Sequence, residues 1–239
     1  MSTYLKQIAS FTTNPDRTYI GQTFSVKEKC YDVIKSVVLY LMLSLIACIP
    51  IFSVLKLIDF LFKIDMAQVR DNFVKKSINK SDFIWVAALL APIIEEVVFR
   101  LWLSFKKRDI VISLTLISLL IAVKLNGHHI YQLQVDEIIK LLGIATLSGI
   151  IILFLSRRIP TVEITNLAFK SIYWISCALF GLLHITNFGT FNWKIAWAYP
   201  FFVIPQLLLG CILGFIRIKD GLIWAIMVHC LVNFILVKL

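Results

Sequence analysis

Charge is what this chain has least of. Only 16% of its 239 residues are Asp, Glu, Lys or Arg, while 59% are hydrophobic and the mean hydropathy is +0.87. Soluble domains carry about 25% charged residues and roughly 45–50% apolar ones. The shortage excludes an ordinary soluble domain and implies that the surplus apolar surface faces lipid.

Other absences narrow the reading. The five cysteines, Cys30, Cys48, Cys177, Cys211 and Cys230, are odd in number and never spaced C-x-x-C, so they read as small apolar residues and not as a disulfide framework. No alternating pattern is strong enough for a β-barrel, and there is neither an internal repeat nor a low-complexity tract. The polar N-terminal stretch lacks a short apolar core followed by a small-residue cleavage site, so no cleaved signal peptide is expected. The net charge of +10 could suggest nucleic acid, but the 24 Lys and Arg fall in short clusters between apolar runs, such as Phe105-Lys106-Lys107-Arg108 and Ser156-Arg157-Arg158. Loops lying against anionic headgroups have that pattern; no nucleic-acid partner is expected.

Apolar runs are abundant. Crossing about 30 Å of hydrocarbon at roughly 1.5 Å per residue takes about 20 residues, and seven stretches are candidates: 36–58, 83–104, 109–125, 138–155, 168–187, 195–216 and 221–238. The expected fold is therefore all-α, a polytopic transmembrane helix bundle of about seven spans, six to eight being allowed. Residues 1–82 form an N-terminal tail, a first span and a polar linker, and 83–239 form the core. The linker from Asp65 to Asp82 suits an interfacial helix, and Lys124 to Glu137, with Asn126-Gly127 as a turn signal, reads as a loop. Pro200 and Pro205 should kink the sixth span.

Within the second span stands APIIEEVVFR, residues 91–100, with three charges in six positions. An ionisable side chain at membrane depth costs about 2.5–3.5 kcal/mol on insertion scales, so it usually faces the bundle interior and has a partner. Glu96 and Arg100 are four apart and share a helix face, which suits an ion pair. Glu95 is turned about 100 degrees from Glu96 and needs another partner. The later spans offer Phe180 and His184, four apart, and His229 and Asn233, four apart. His128 and His129 sit together in a loop and read as solvated.

Each polar residue alone could be a hydrogen bond between helices. Together, a carboxylate, two imidazoles and a carboxamide can do chemistry: a carboxylate beside an imidazole holds and deprotonates water, and a second His with an Asn can stabilise an oxyanion. Those are the parts of water-driven acyl hydrolysis. Intramembrane Glu and His can also relay protons in a transporter.

Glu95-Glu96-x-x-x-Arg100, Phe180-x-x-x-His184 and His229-x-x-x-Asn233, in that order, resemble the three motifs of the CAAX protease and bacteriocin-processing (CPBP or Abi) family of polytopic intramembrane endopeptidases, over about Phe83 to Leu239. The resemblance implies that Glu95 activates water with His184, and that His229 and Asn233 stabilise the oxyanion. It gives Glu96 and Arg100 the role of a structural pair beside the site, and Phe180 that of shaping the pocket. It further implies a glutamate-type peptidase, similar to the CAAX prenyl protease, that cuts a membrane-associated protein or peptide by CAAX-type or leader-type processing, as a multi-pass protein of a bacterial cell membrane. No cofactor is favoured. Zinc held by Glu95, His184 and His229 is the alternative, a chemically acceptable ligand set although no H-E-x-x-H is present. A non-enzymatic membrane protein, such as a bacteriocin-immunity factor, is the reading from a different class.

Overall fold

The computed structural model describes residues 2–20, 22–64, 84–125, 135–158, 166–188 and 191–238, and every regular element among them is helical. In chain order these are α1 (Ser2–Thr13), α2 (Val26–Phe62), a π-helical turn (Val86–Leu90) running into α3 (Ala91–Arg100), a 3-10 turn (Leu101–Ser104), α4 (Lys107–Leu125), α5 (Val135–Arg158) and α6 (Asn166–Leu183). Two further 3-10 turns (His184–Phe188 and Trp193–Ala198) lead to the short α7 (Tyr199–Phe202), then α8 (Ile204–Lys219) and α9 (Leu222–Lys238). The expected linker helix within 65–82 and the loop pair His128 and His129 lie outside the described residues.

Each of the seven expected spans overlaps a helix, but their number as membrane crossings is not carried by length and apolarity. Among the described residues only α2 is long and apolar enough to cross alone, with a mean hydropathy of 2.5 in its best window; the Trp193–Phe202 and Ile204–Lys219 pair makes a second if counted as one bent span. Among the described residues the apolar stretches of α5, α6 and α9, Gly143–Phe154, Ala168–Leu183 and Leu222–Lys238, are each too short to cross alone. The bend in that pair is 41°, and Pro200 and Pro205 each stand in the first turn of a new helix, where a missing N–H costs nothing. All five cysteines are free thiols.

Local chemistry sets the boundaries. Ser25 caps α2 through a reciprocal capping box with Glu28, and Lys63 closes it in the left-handed region at φ 56°. α8 and α9 are central: α6 and α2 pack on α8, while α2, α3 and the π-turn pack on α9. Close approach of α6 and α8 depends on Gly210 and Gly214, spaced as a small-x-x-x-small pair. A Cβ on Gly214 would stand 2.8 Å from Tyr173 Cε2, and one on Gly210 would stand 3.3 Å from both Cys177 O and a Phe180 ring carbon. The Tyr173 hydroxyl donates to Cys211 O at 2.9 Å across the same seam. Helices in lipid gain little from burying apolar surface, so such packing and hydrogen bonds hold the bundle.

α1 is part of the same core. Tyr4, Ile8 and Phe11 are buried together with Val33, Tyr173 and Phe215, and Phe11 meets Phe215 and Tyr173 edge-on at 5.3 and 5.4 Å. The bundle thus has two distinct ends. One gathers α1, the start of α2, the C-termini of α3 and α8 and the basic segment 106–108; the other presents Trp85, Phe191 and Trp193, all exposed.

Candidate active site

The carboxylates stand on α3, and the sequence anchors that helix at both ends. Pro92 has no N–H, so in the π pattern, where the Ala91 N–H reaches Val86 O, the next carbonyl, Ala87 O, has no backbone donor. Asn233 Nδ2 supplies one at 2.9 Å. Sequence spacing carries no signal for this partner, 146 residues away, although Pro92 is its local cause.

At the other end, Arg100 leaves helical geometry at φ −123° and the last carbonyls of α3 lose their intrahelical partners. Side chains from four other elements take them up. Ser113 Oγ donates to Val97 O at 2.9 Å, Ser176 Oγ and Trp102 Nε1 donate to Phe99 O, and Arg217 Nε donates to Arg100 O at 3.0 Å. A guanidinium at a helix C-terminus also complements the macrodipole.

Between these anchors lie the charges. Glu96 and Arg100 are fully buried, with Nη1 3.1 Å from Oε1. The Arg100 guanidinium lies 3.9 Å from the centre of the Phe180 ring, and the same ring packs against His184 at 4.9 Å and His229 at 5.4 Å. Phe180 therefore separates the buried cation from the two imidazoles. Glu96 has a second partner that spacing could not reveal, His229 Nδ1 at 3.0 Å.

Glu95 faces elsewhere. Its Oε2 is buried, makes no hydrogen bond, and lies 3.9 Å from His184 Nε2 and 3.8 Å from His229 Nε2. His184 reaches this depth because it opens the 3-10 turn that follows α6. Its Nδ1 is 2.8 Å from Phe180 O. A carbonyl only accepts, so Nδ1 carries a hydrogen and the neutral ring turns an Nε2 lone pair on Glu95. The carboxylate of Glu96 acts likewise on His229. Acceptors facing one another at 3.8–3.9 Å, beyond direct hydrogen-bonding range, are satisfied by a small donor between them, and water has two O–H groups to give.

The structure thus brings Glu95, His184 and His229 to one point, with Glu96, Arg100 and Phe180 behind them and Asn233 one turn of α9 from His229. The three converging groups are one carboxylate and two imidazoles, a donor set that zinc accepts.

A family model described as Rce1-like, type II CAAX prenyl endopeptidase, matches residues 79–235. That span contains α3 through most of α9 and every residue named above, and leaves α1 and α2 outside. No curated protein and no solved structure matches the chain.

Proposed function

The chain belongs to the Rce1-like family of type II CAAX prenyl endopeptidases, membrane-embedded proteases, and we propose that it hydrolyses a peptide bond of a membrane-associated protein or peptide with a water held between Glu95 and His184. The observation that carries this reading is the unbonded, buried Oε2 of Glu95 facing two imidazole nitrogens at 3.8–3.9 Å.

A water there donates one hydrogen to Glu95 and one to His184. As its oxygen attacks the scissile carbonyl carbon, its proton passes to Glu95. The oxyanion is met from α9 by the amide hydrogen of Asn233 that Ala87 does not use, while His229, its ring held through Nδ1 by Glu96, turns its Nε2 lone pair toward Glu95 and the water. Collapse breaks the C–N bond and the proton on Glu95 leaves with the amine. General acid–base steps of this kind contribute roughly 10²–10⁴-fold each, and an oxyanion donor about 10²–10³-fold.

The metal-independent form is the preferred reading, and zinc held by Glu95, His184 and His229 is the alternative. The zinc-dependent form predicts stoichiometric zinc in the purified protein and loss of activity on chelation. The substrate is either a lipidated CAAX-type protein or a leader-bearing peptide. Comparative proteomics of membranes from wild-type and Glu95→Gln cells tests the reading: a peptide accumulating uncut only in the variant supports it, and identical membrane peptidomes contradict it. A non-enzymatic role, such as toxin immunity, predicts protection that survives Glu95→Gln.

A further inference from the structure

A cavity of about 300 Å³ lies at the basic end of the bundle, away from Glu95. Its wall includes Tyr19, Gln22 and Lys29 from the N-terminal segment, Lys106 from the turn after α3, and Arg217 and Lys219 from the end of α8. Four of its thirteen lining residues, Tyr19, Ile20, Gln22 and Lys29, lie outside the family match at 79–235, so the segment between α1 and α2 and the start of α2 complete the cavity.

The charges facing it do not cancel. Lys219 is paired with Asp32 and the Asp109 carboxylate is held by Arg108. Among the described residues Lys29, Lys106 and Arg217 form no ion pair; Lys29 Nζ reaches the Asp220 carbonyl at 3.3 Å and lies 6.0 Å from the centre of the Trp224 ring, and Arg217 reaches the carbonyls of Arg100 and Leu101. The carboxylate oxygens of Asp220 are buried without water contact, so a ligand would meet its backbone and not its charge. Four cations, Lys29, Lys106, Arg217 and Lys219, against the carboxylates of Asp109 and Asp220 leave the wall net positive, and a cavity of this size suits an anion whose several oxygens can be shared among the cations.

The cavity also sits where such an anion is found. It lies at the ends of α2, α3, α8 and α9, beside the exposed Lys106, Lys107 and Arg108, at the boundary where apolar helices give way to headgroups. We propose that this cavity binds a phosphate group, supplied by an anionic phospholipid headgroup or by free phosphate, and that the N-terminal segment completes the site.

Binding is read independently of proteolysis, by thermal shift and by equilibrium titration of the full-length protein in uncharged detergent. The probes are dihexanoyl phosphatidylglycerol, dihexanoyl phosphatidylcholine and inorganic phosphate. The protein should be stabilised in a saturable way by phosphatidylglycerol, by inorganic phosphate or by both, and phosphatidylcholine should bind at least tenfold more weakly than phosphatidylglycerol wherever the latter binds. Binding should weaken at least tenfold in Lys29→Gln/Lys106→Gln and stay unchanged in Lys56→Gln/Lys63→Gln, a pair at the far end of α2. A response to phosphatidylglycerol without one to phosphate identifies the lipid as source; a response to phosphate identifies the free ion as sufficient. Absence of saturable binding by both anions, or equal binding by wild type and Lys29→Gln/Lys106→Gln, or equal loss in the control pair, overturns the proposal.

Discussion

His229 Nδ1 lies 3.0 Å from Glu96 Oε1, so the carboxylate that neutralises Arg100 also fixes which nitrogen of His229 faces Glu95. One buried acid therefore serves both the stability of the bundle and the orientation of its site. Outer partners of this kind commonly set ring tautomer and direction.

Glu96→Gln should expose that double role. Removing one member of a buried pair leaves the other uncompensated, at a cost of about 3–5 kcal/mol, whereas replacing both can be nearly neutral. Thermal unfolding in detergent should find Glu96→Gln and Arg100→Met each strongly destabilised and the double variant closer to wild type. Cleavage should remain impaired in the double variant, because His229 has lost its anchor.

Asn233 carries a similar double role, and Pro92 allows the parts to be separated. Asn233→Ala leaves Ala87 O without its donor, at about 1–3 kcal/mol for an unsatisfied buried group. Pro92→Ala restores an N–H next to that carbonyl. The Asn233→Ala/Pro92→Ala protein should regain stability over Asn233→Ala alone without regaining cleavage; recovery of full activity would show that Asn233 acts only through the backbone.

Gly214→Ala tests the seam beneath the site. Its Cβ would come 2.8 Å from the Tyr173 ring, and overpacking of this kind costs about 1–3 kcal/mol. The melting temperature should fall, while a change to Ala at the exposed Gly143, where a Cβ meets nothing within 4 Å, should leave it level or higher.

These contacts mark how far the sequence could be read. Helix positions and the i, i+4 relation of Glu96 to Arg100 are local, and three-residue and four-residue spacings express them. The sharing of Glu96 with His229, the donation from Asn233 to Ala87, and the capping of α3 by Ser113, Ser176 and Arg217 join residues far apart in the chain, where spacing carries no information. The span count is not legible for a different reason: the site-bearing helices α3, α6 and α9 are 10, 18 and 17 residues long, shorter than a lone crossing of about 20 residues requires. The packing of α1 into the core was hidden because a short amphipathic helix of mixed polarity looks the same whether it lies on a membrane or on a bundle.

Asp220 gives the account a pH dependence outside the spans. Burial, assisted by the neighbouring Asp32, pushes its carboxyl up to about 6. A folded-state value above the unfolded one means that the folded protein holds the proton more tightly. This stability is fully present below the ordinary carboxylate range near 4 and is lost as pH rises through about 6. Melting temperatures should therefore decline between pH 4 and pH 7 by an increment that Asp220→Asn removes; an unchanged slope in the variant would contradict the assignment.

The central claim is that Glu95 is the base that activates water. Its most direct test is the single-turnover rate of Glu95→Gln, reconstituted in proteoliposomes with a substrate the wild type cuts. The account predicts a loss of roughly 10²–10⁴-fold in the chemical step, with substrate affinity and melting temperature near wild type. Cleavage by Glu95→Gln at the wild-type rate would contradict it.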